Sequence, residues 1–153
     1  MLGVGLLLVR KQKGKTMAKV KESIECWIFN QVTQKVLLLH VPISKDSSVP
    51  FWQPITGGVE GNESPLKACV REVVEETGLI INERNLIGWK ETIRVNIKKS
   101  LFLGIINDSD IIISEEHDEY KWVSPKNISS SLYWDSNRKT WGKIQTIIHS
   151  KYM

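Results

Sequence analysis

Residues 57–79 read GGVEGNESPLKACVREVVEETGL, a glycine-rich loop running into a short stretch crowded with carboxylates. Ser64-Pro65 predicts a helix start there. A serine hydroxyl caps free amide groups, and proline at the first helical position loses no hydrogen bond. Gly78 predicts the stop, because glycine readily takes the left-handed conformation that ends many helices. At about 100° per residue, Glu72, Glu75 and Glu76 fall within an arc roughly 100° wide, with Leu66, Val70, Val73 and Val74 on the opposite side. Carboxylates spaced i, i+3 and i+4 repel one another, so the arc is either a solvated acidic face or a site awaiting a counter-charge. An all-oxygen cluster of this kind suits Mg²⁺ or Mn²⁺.

The remaining composition bounds the answer. A chain of 153 residues, 41% hydrophobic and 25% charged, reads as one ordinary globular domain. The net charge of +4 comes from scattered basic residues, which suits an anionic small molecule and gives no nucleic-acid footprint. Cys26 and Cys69 lie far apart without metal-ligand spacing, and are expected to be reduced residues of a cytoplasmic protein. No apolar run reaches the length of a membrane span. The opening MLGVGLLLVRKQKGK places its apolar residues before its positive ones, the wrong order for a secretory signal. Because Met17-Ala18-Lys19 resembles a start, residues 1–16 are read as an N-terminal extension to a single domain at 17–153.

Along the chain, Ile24 to Asn30 and Lys35 to Val41 predict a strand pair, and Phe51 to Thr56 a short strand leading into the glycines. Leu86 to Ile97 and Ser100 to Ile106 predict two more strands around a turn at Lys98-Lys99. Tyr120 to Val123 predicts a last strand, broken by Ser124-Pro125. Ser136 to His149 predicts a helix with Trp141, Ile144, Ile147 and Ile148 near one side. Strands outnumber helices, which implies an α+β or layered α/β/α arrangement.

The spacing in the carboxylate stretch is similar to a known pattern. Gly57, five residues, Glu63, seven residues, then Arg71-Glu72-Val73-Val74-Glu75-Glu76-Thr77-Gly78-Leu79 resembles the Nudix box of the MutT-like Nudix hydrolases at all nine specified positions over twenty-three residues. The resemblance implies a mixed β-sheet sandwiched between helices and a Mg²⁺- or Mn²⁺-dependent pyrophosphohydrolase. It also implies that Glu72, Glu75 and Glu76 are metal ligands. Arg71 sits one position off the arc, and its fork suits bidentate pairing with Glu63; direct contact with phosphate is the alternative. Gly57 and Gly58 are expected to allow close backbone approach and positive φ, as a tight turn, a substrate contact, or both.

A further ligand or base is expected from SEEHDEYKWV, residues 114–123. Glu116 stands in a stretch resembling the Glu-His-x-x-Tyr-Lys-Trp segment of one Nudix branch, the dihydroneopterin triphosphate pyrophosphohydrolases. There this glutamate completes the metal site or acts as base. His117 is expected to play a structural or second-tier role, and His40 and His149 to be incidental. Phe51-Trp52-Gln53 with Thr56-Gly57, and Trp134 followed by Ser136-Asn137-Arg138, resemble further segments of that branch. Trp52 and Trp134 would then be stacking walls for a flat ring, or core and rim tryptophans. Thr56 and Arg138 join the expected substrate contacts, while Glu63 and Gly78 are structural.

Three departures from the branch pattern bear on the substrate. The strand ending Leu39-His40-Val41-Pro42 lacks basic residues, the segment before Glu116 is shorter, and Asn62 replaces a customary glycine. The expected reaction is therefore hydrolysis of a diphosphate linkage, with dihydroneopterin triphosphate as the favoured substrate. Oxidised or noncanonical nucleoside triphosphates, dinucleoside polyphosphates and ADP-ribose are alternatives, and a non-hydrolytic nucleotide-sensing module is the alternative of another class. Monomer and homodimer are both open.

Overall fold

An alternation in one strand sets the layers of the molecule. The computed structural model describes residues 9–12, 15–18, 21–94, 97–108 and 110–153. Strands β1 (Val9–Gln12) and β2 (Lys15–Ala18) pair antiparallel, so the boundary expected at Met17 falls inside β2. Residues 1–8, 13 and 14 of the expected extension lie outside the described residues. In β3 (Lys21–Asn30), Ile24, Cys26 and Ile28 point to one apolar cluster, and Trp27 and Phe29 to another. Side chains alternate along a strand, so β3 is buried on both faces and needs a cover on each.

β3 turns back into β4 (Lys35–Val41) through Asn30, whose side-chain oxygen accepts from the N–H groups of Val32 and Thr33, and through Gln34 at φ 60°. The two strands stay paired only at Phe29↔Val36 and Asn30↔Lys35, then diverge. The gap is filled by β5 (Phe51–Gln53) on β4 and β6 (Ile55–Gly58) on β3. The single strand expected over Phe51 to Thr56 is thus two. Pro54 has no N–H for a ladder, and the chain changes partner at that residue. This change of partner delivers Thr56, Gly57 and Gly58 beside the helix that follows.

That helix, α1 (Pro65–Thr77), opens on Ser64, whose hydroxyl accepts from the Lys67 N–H at 3.1 Å, and closes on Gly78 at φ 76°. Cys69, Val73 and Ala68 are buried against the sheet, with Leu66 and Val70 half-buried. Val74, expected on the buried side, is exposed at the edge of the stripe. After a short 3₁₀ turn (Glu83–Asn85) come β7 (Leu86–Arg94) and β8 (Ile97–Ile106), antiparallel to each other, with β8 parallel to β3. The turn expected at Lys98-Lys99 is not there: both residues lie within β8, opposite Thr92 and Glu91.

Lys99 is held in the strand by Glu25, a carboxylate only 1% exposed on the α3-facing side of β3. Lys99 Nζ lies 2.7 Å from Glu25, and Trp27 Nε1, Thr140 Oγ1 and Asn137 Nδ2 also donate to it. A buried charge this well paired avoids the large desolvation cost of an isolated one, and it registers the last helix against the sheet.

β9 (Glu119–Val123) pairs with the outer edge of β4. Ser124-Pro125, expected as a break, opens helix α2 (Pro125–Ser131), and α3 (Asp135–Tyr152) follows. Ile128, Trp141, Ile144 and Ile148 cover the second face of the sheet. The seven strands β3–β9 form one mixed sheet between α1 on one side and α2 with α3 on the other, the expected α/β/α sandwich. Among the described residues no helix is long and apolar enough to cross a membrane.

Candidate active site

The loop between β6 and α1 is wound around a single arginine. Val59 N–H donates to Glu22 O, Gly61 turns the chain at φ 51°, and Glu60 N–H donates to Glu63 Oε1 at 2.9 Å. Arg71, nearly two turns into α1, then reaches back. Its Nε lies 3.2 Å from both Glu63 oxygens, and Nη2 lies 2.6 Å from Glu63 Oε1 and 2.8 Å from Gly58 O. Nη1 lies 3.1 Å from Glu72 Oε2 and 3.2 Å from Glu75 Oε1. Hydrogen bonds from Arg71 hold the Glu63 carboxyl below the usual carboxylate range, against a smaller opposing effect of burial. The fork therefore joins the loop, the β6 backbone and two of the helix carboxylates.

The three carboxylates of the arc differ in depth. Glu72 and Glu76 are buried and Glu75 is exposed, so the arc runs from the protein interior out to its rim. Glu72 lies directly over Gly57, where a Cβ would come within 2.1 Å of the Glu72 carboxyl carbon. Glycine at 57 is thus required by close approach alone. Neither Gly57 nor Gly58 has the positive φ expected of them; among the described glycines only Gly61 and Gly78 do. Burial and the neighbouring Glu75 and Glu76 charges push the Glu72 pKa to about 7, although Arg71 opposes them.

Glu76 is treated differently. Burial would raise its pKa, but the adjacent His117 ring and the Ser114 hydroxyl outweigh this and hold the carboxyl below its ordinary value. Ser114 Oγ donates to Glu76 Oε1 at 2.6 Å. His117 Nδ1 sits 2.9 Å from the same oxygen, near enough for an ion pair but off the line of a well-aligned hydrogen bond, and it has no better partner. The segment carrying Ser114, Glu116 and His117 is fastened to α1 where Ile112 N–H donates to Thr77 O at 2.9 Å. At its far end Asp118 Oδ1 lies 2.6 Å from His40 Nδ1, so His40, expected to be incidental, anchors this segment.

These elements enclose an open cavity of about 250 Å³ lined by Thr56, Gly57, Gly58, Glu60, Glu72, Glu75, Glu76 and Glu116. The expected metal-ligand set, Glu72, Glu75, Glu76 and Glu116, is brought together there, along with Thr56, Gly57 and Gly58. Glu60 was missed by sequence reading, although its place between the glycines and Glu63 was a signal.

Three expected substrate contacts do not line the cavity. Trp52 lies on the sheet face that α3 covers, packed against the second apolar cluster, with the His40 ring centroid at 4.7 Å and Lys121 Nζ 4.1 Å from its own centroid. Trp134 stands at the start of α3, edge-on to Tyr133 and Phe51. Arg138 donates to Asp135 and to the carbonyls of Ser129 and Leu132, joining α2 to α3.

The donors are of the kind a divalent cation takes, although among the described residues the group whose ligand atoms already lie within 4.8 Å of one another is His40, Asp118 and Glu119. Five carboxylates line one cavity, and burial with the neighbouring Glu75 and Glu76 charges holds the Glu72 pKa at about 7 in spite of Arg71, a surplus of negative charge that a bound cation would relieve. Oxygen donors alone select hard cations.

The NUDIX domain model matches residues 20–142. The dihydroneopterin triphosphate diphosphatase of Haemophilus influenzae is 30% identical over 125 residues, covering 71% of this chain and 77% of that protein. The solved structure of the Escherichia coli dihydroneopterin triphosphate pyrophosphohydrolase superposes with a TM-score of 0.61 at 26% identity, covering 82% of this chain and 96% of the other. A MutT structure from work on Aliivibrio salmonicida and Vibrio cholerae reaches 0.69 at 20% identity, over 82% and 97% of the two chains, a likeness of fold. The box around Arg71, the layered sheet that presents it and the match over residues 20–142 agree, and the chain belongs to the Nudix hydrolases, enzymes of diphosphate bonds.

Proposed function

We propose that this chain is a Mg²⁺-dependent pyrophosphohydrolase of a nucleotide-like substrate, with dihydroneopterin triphosphate converted to the monophosphate and pyrophosphate as the favoured reaction. The observation that carries the reaction is the convergence of Glu72, Glu75 and Glu76 with Glu116 on one cavity floored by Gly57. The substrate preference is supported by the 30% identical relative named for it.

Glu72, Glu76, Glu75 and Glu116 would hold Mg²⁺ or Mn²⁺. When bound, such an ion offsets phosphate charge and makes water more acidic. Glu116, on a loop across the cavity from the helix, takes the proton of the attacking water. The water oxygen bonds to phosphorus, the bridging P–O bond breaks, and the departing phosphate carries away the electron pair. The Thr56–Gly58 backbone, without side-chain bulk at its glycines, lets the phosphate chain lie close to Glu72. Arg71 keeps the loop and the helix carboxylates in register.

The test is a panel assay with Mg²⁺ that follows pyrophosphate and phosphate release from dihydroneopterin triphosphate, common and oxidised nucleoside triphosphates, ADP-ribose and diadenosine tetraphosphate. Preference for the pterin, with pyrophosphate released, is expected. Preference for a nucleotide would keep the chemistry and replace the substrate. Tight binding of one compound without turnover of any would favour a sensing role.

The Glu72 environment gives a pH dependence. Its folded-state pKa is about 7, against a usual 4.5, so folding favours its protonated form. That contribution to metal-free stability is full below about pH 4.5 and is lost as pH rises through 7. Metal binding needs the ionised form, so Mn²⁺ affinity should fall about tenfold per pH unit below 7. The thermal shift produced by Mn²⁺ should accordingly be large at pH 8 and small at pH 5.5. Equal shifts at the two pH values would mean that Glu72 is not a ligand.

A further inference from the structure

Glu76 and Glu116 lie forty residues apart on different elements, yet a shared site requires them to be fixed relative to each other to a fraction of an ångström. The same hydroxyl touches both. Ser114 Oγ donates to Glu76 Oε1 at 2.6 Å and accepts from the Glu116 backbone N–H at 3.3 Å. A serine hydroxyl has one proton and two lone pairs, so the two contacts are compatible and their directions are fixed. The carboxylate can only accept and the amide can only donate.

The surroundings hold the hydroxyl in place. Ile112 N–H is bonded to Thr77 O, Ile111 and Ile113 pack on the α1 side of the core, and His117 N–H closes a turn onto Ser114 O. Ser114 and His117 both contact Oε1 of Glu76, so that among the described residues the contacts fall on one of its two oxygens while Glu76 lines the cavity.

We infer that Ser114 is a positioning residue for the metal site: its hydroxyl orients the Glu76 carboxylate and fixes the loop backbone at Glu116. The inference rests on the reading of Glu76 and Glu116 as metal ligands. Ser114 touches neither substrate nor metal in this scheme.

The experiment compares the full-length wild type, Ser114→Ala and Ser114→Thr. Mn²⁺ affinity is read from the free-ion electron paramagnetic resonance signal, alongside kcat, KM and the metal-free unfolding temperature. Loss of a group that orients a metal ligand typically costs about ten- to a hundredfold in affinity or activity. Ser114→Ala should therefore bind Mn²⁺ about tenfold more weakly and lose kcat with little change in KM. Ser114→Thr, which keeps the hydroxyl, should restore both. The metal-free unfolding temperatures should stay close together, which separates orientation of the site from general loss of structure.

Wild-type Mn²⁺ affinity and kcat in Ser114→Ala would overturn the inference. So would a threonine variant as impaired as the alanine one while still folded. A wild type that takes up no Mn²⁺ sensitive to Glu76→Gln would fail at an earlier point, sinking the ligand assignment and the role of Ser114 with it.

Discussion

Glu76→Gln should lower turnover and Mn²⁺ affinity by more than about a hundredfold, since removing a direct ligand should cost more than the ten- to hundredfold typical of its supporting partners. Glutamine has the size of glutamate, and its amide oxygen can still accept from Ser114, so the local packing survives. What disappears is one negative charge in a buried position, 4% exposed, where the surrounding dielectric magnifies its effect. Glu72→Gln should behave similarly. Glu75→Gln should cost less, because its exposed carboxylate is shared with Arg71 and screened by water. Kinetics and Mn²⁺ titration of the three variants give the ranking. Turnover and metal affinity that stay unchanged in Glu76→Gln would defeat the assignment of this helix as the metal site.

The sequence made α1 legible almost to the residue because each of its boundaries has a local chemical cause. Ser64 caps, Pro65 starts and Gly78 stops. What escaped reading depended on partners distant in sequence. Ser124-Pro125 repeats the residue pair of Ser64-Pro65, but the Ser124 side chain makes no capping hydrogen bond, and the short helix after it has few apolar residues, with only Ile128 buried. The place of Trp52 was invisible because it depends on register: His40 pairs with Trp52 across β4 and β5, which puts both rings on the α3 face. A shift of one residue would have put Trp52 on the other face. Glu25 did leave a trace, a carboxylate within the apolar run IECWIFN, which a buried strand tolerates only with a partner. That partner, Lys99, lies 74 residues away, in residues the sequence suggested were a turn. The carboxylate spacing on α1 was legible for a different reason. Helical geometry converts spacing into direction, whereas the loop bearing Glu116 is held at the cavity by distant partners, through the Ile112–Thr77 hydrogen bond, Ser114, His117 and the His40–Asp118 pair.

Arg71→Ala should both destabilise the protein and suppress turnover, with KM nearly unchanged. Every arm of the guanidinium is engaged: Nε and Nη2 on Glu63, Nη2 also on Gly58 O, and Nη1 between Glu72 and Glu75. Glu60 lies 3.7 Å from Nη1 as well. Removing the fork leaves four carboxylates facing one another around a half-buried space without their cation. A fully buried pair that loses one partner costs about 3–5 kcal/mol, and this one is partly open to solvent, so a loss of about 2 kcal/mol is expected. Arg71→Lys should recover only part of it, because a point charge cannot span Glu63, Glu72 and the Gly58 carbonyl together. Added Mn²⁺ should narrow the stability gap, since a second cation answers the same surplus of negative charge. Coupling should be strong with Glu63: the Arg71→Ala/Glu63→Gln double variant should be little worse than Arg71→Ala alone, because the two side chains act as one strut. Denaturant unfolding and steady-state kinetics separate this from the competing role. If Arg71 gripped substrate phosphate directly, Arg71→Ala would keep its stability and raise KM about tenfold or more, a loss of binding rather than of framework. The hydrogen bonds already made by all three guanidinium nitrogens favour the framework.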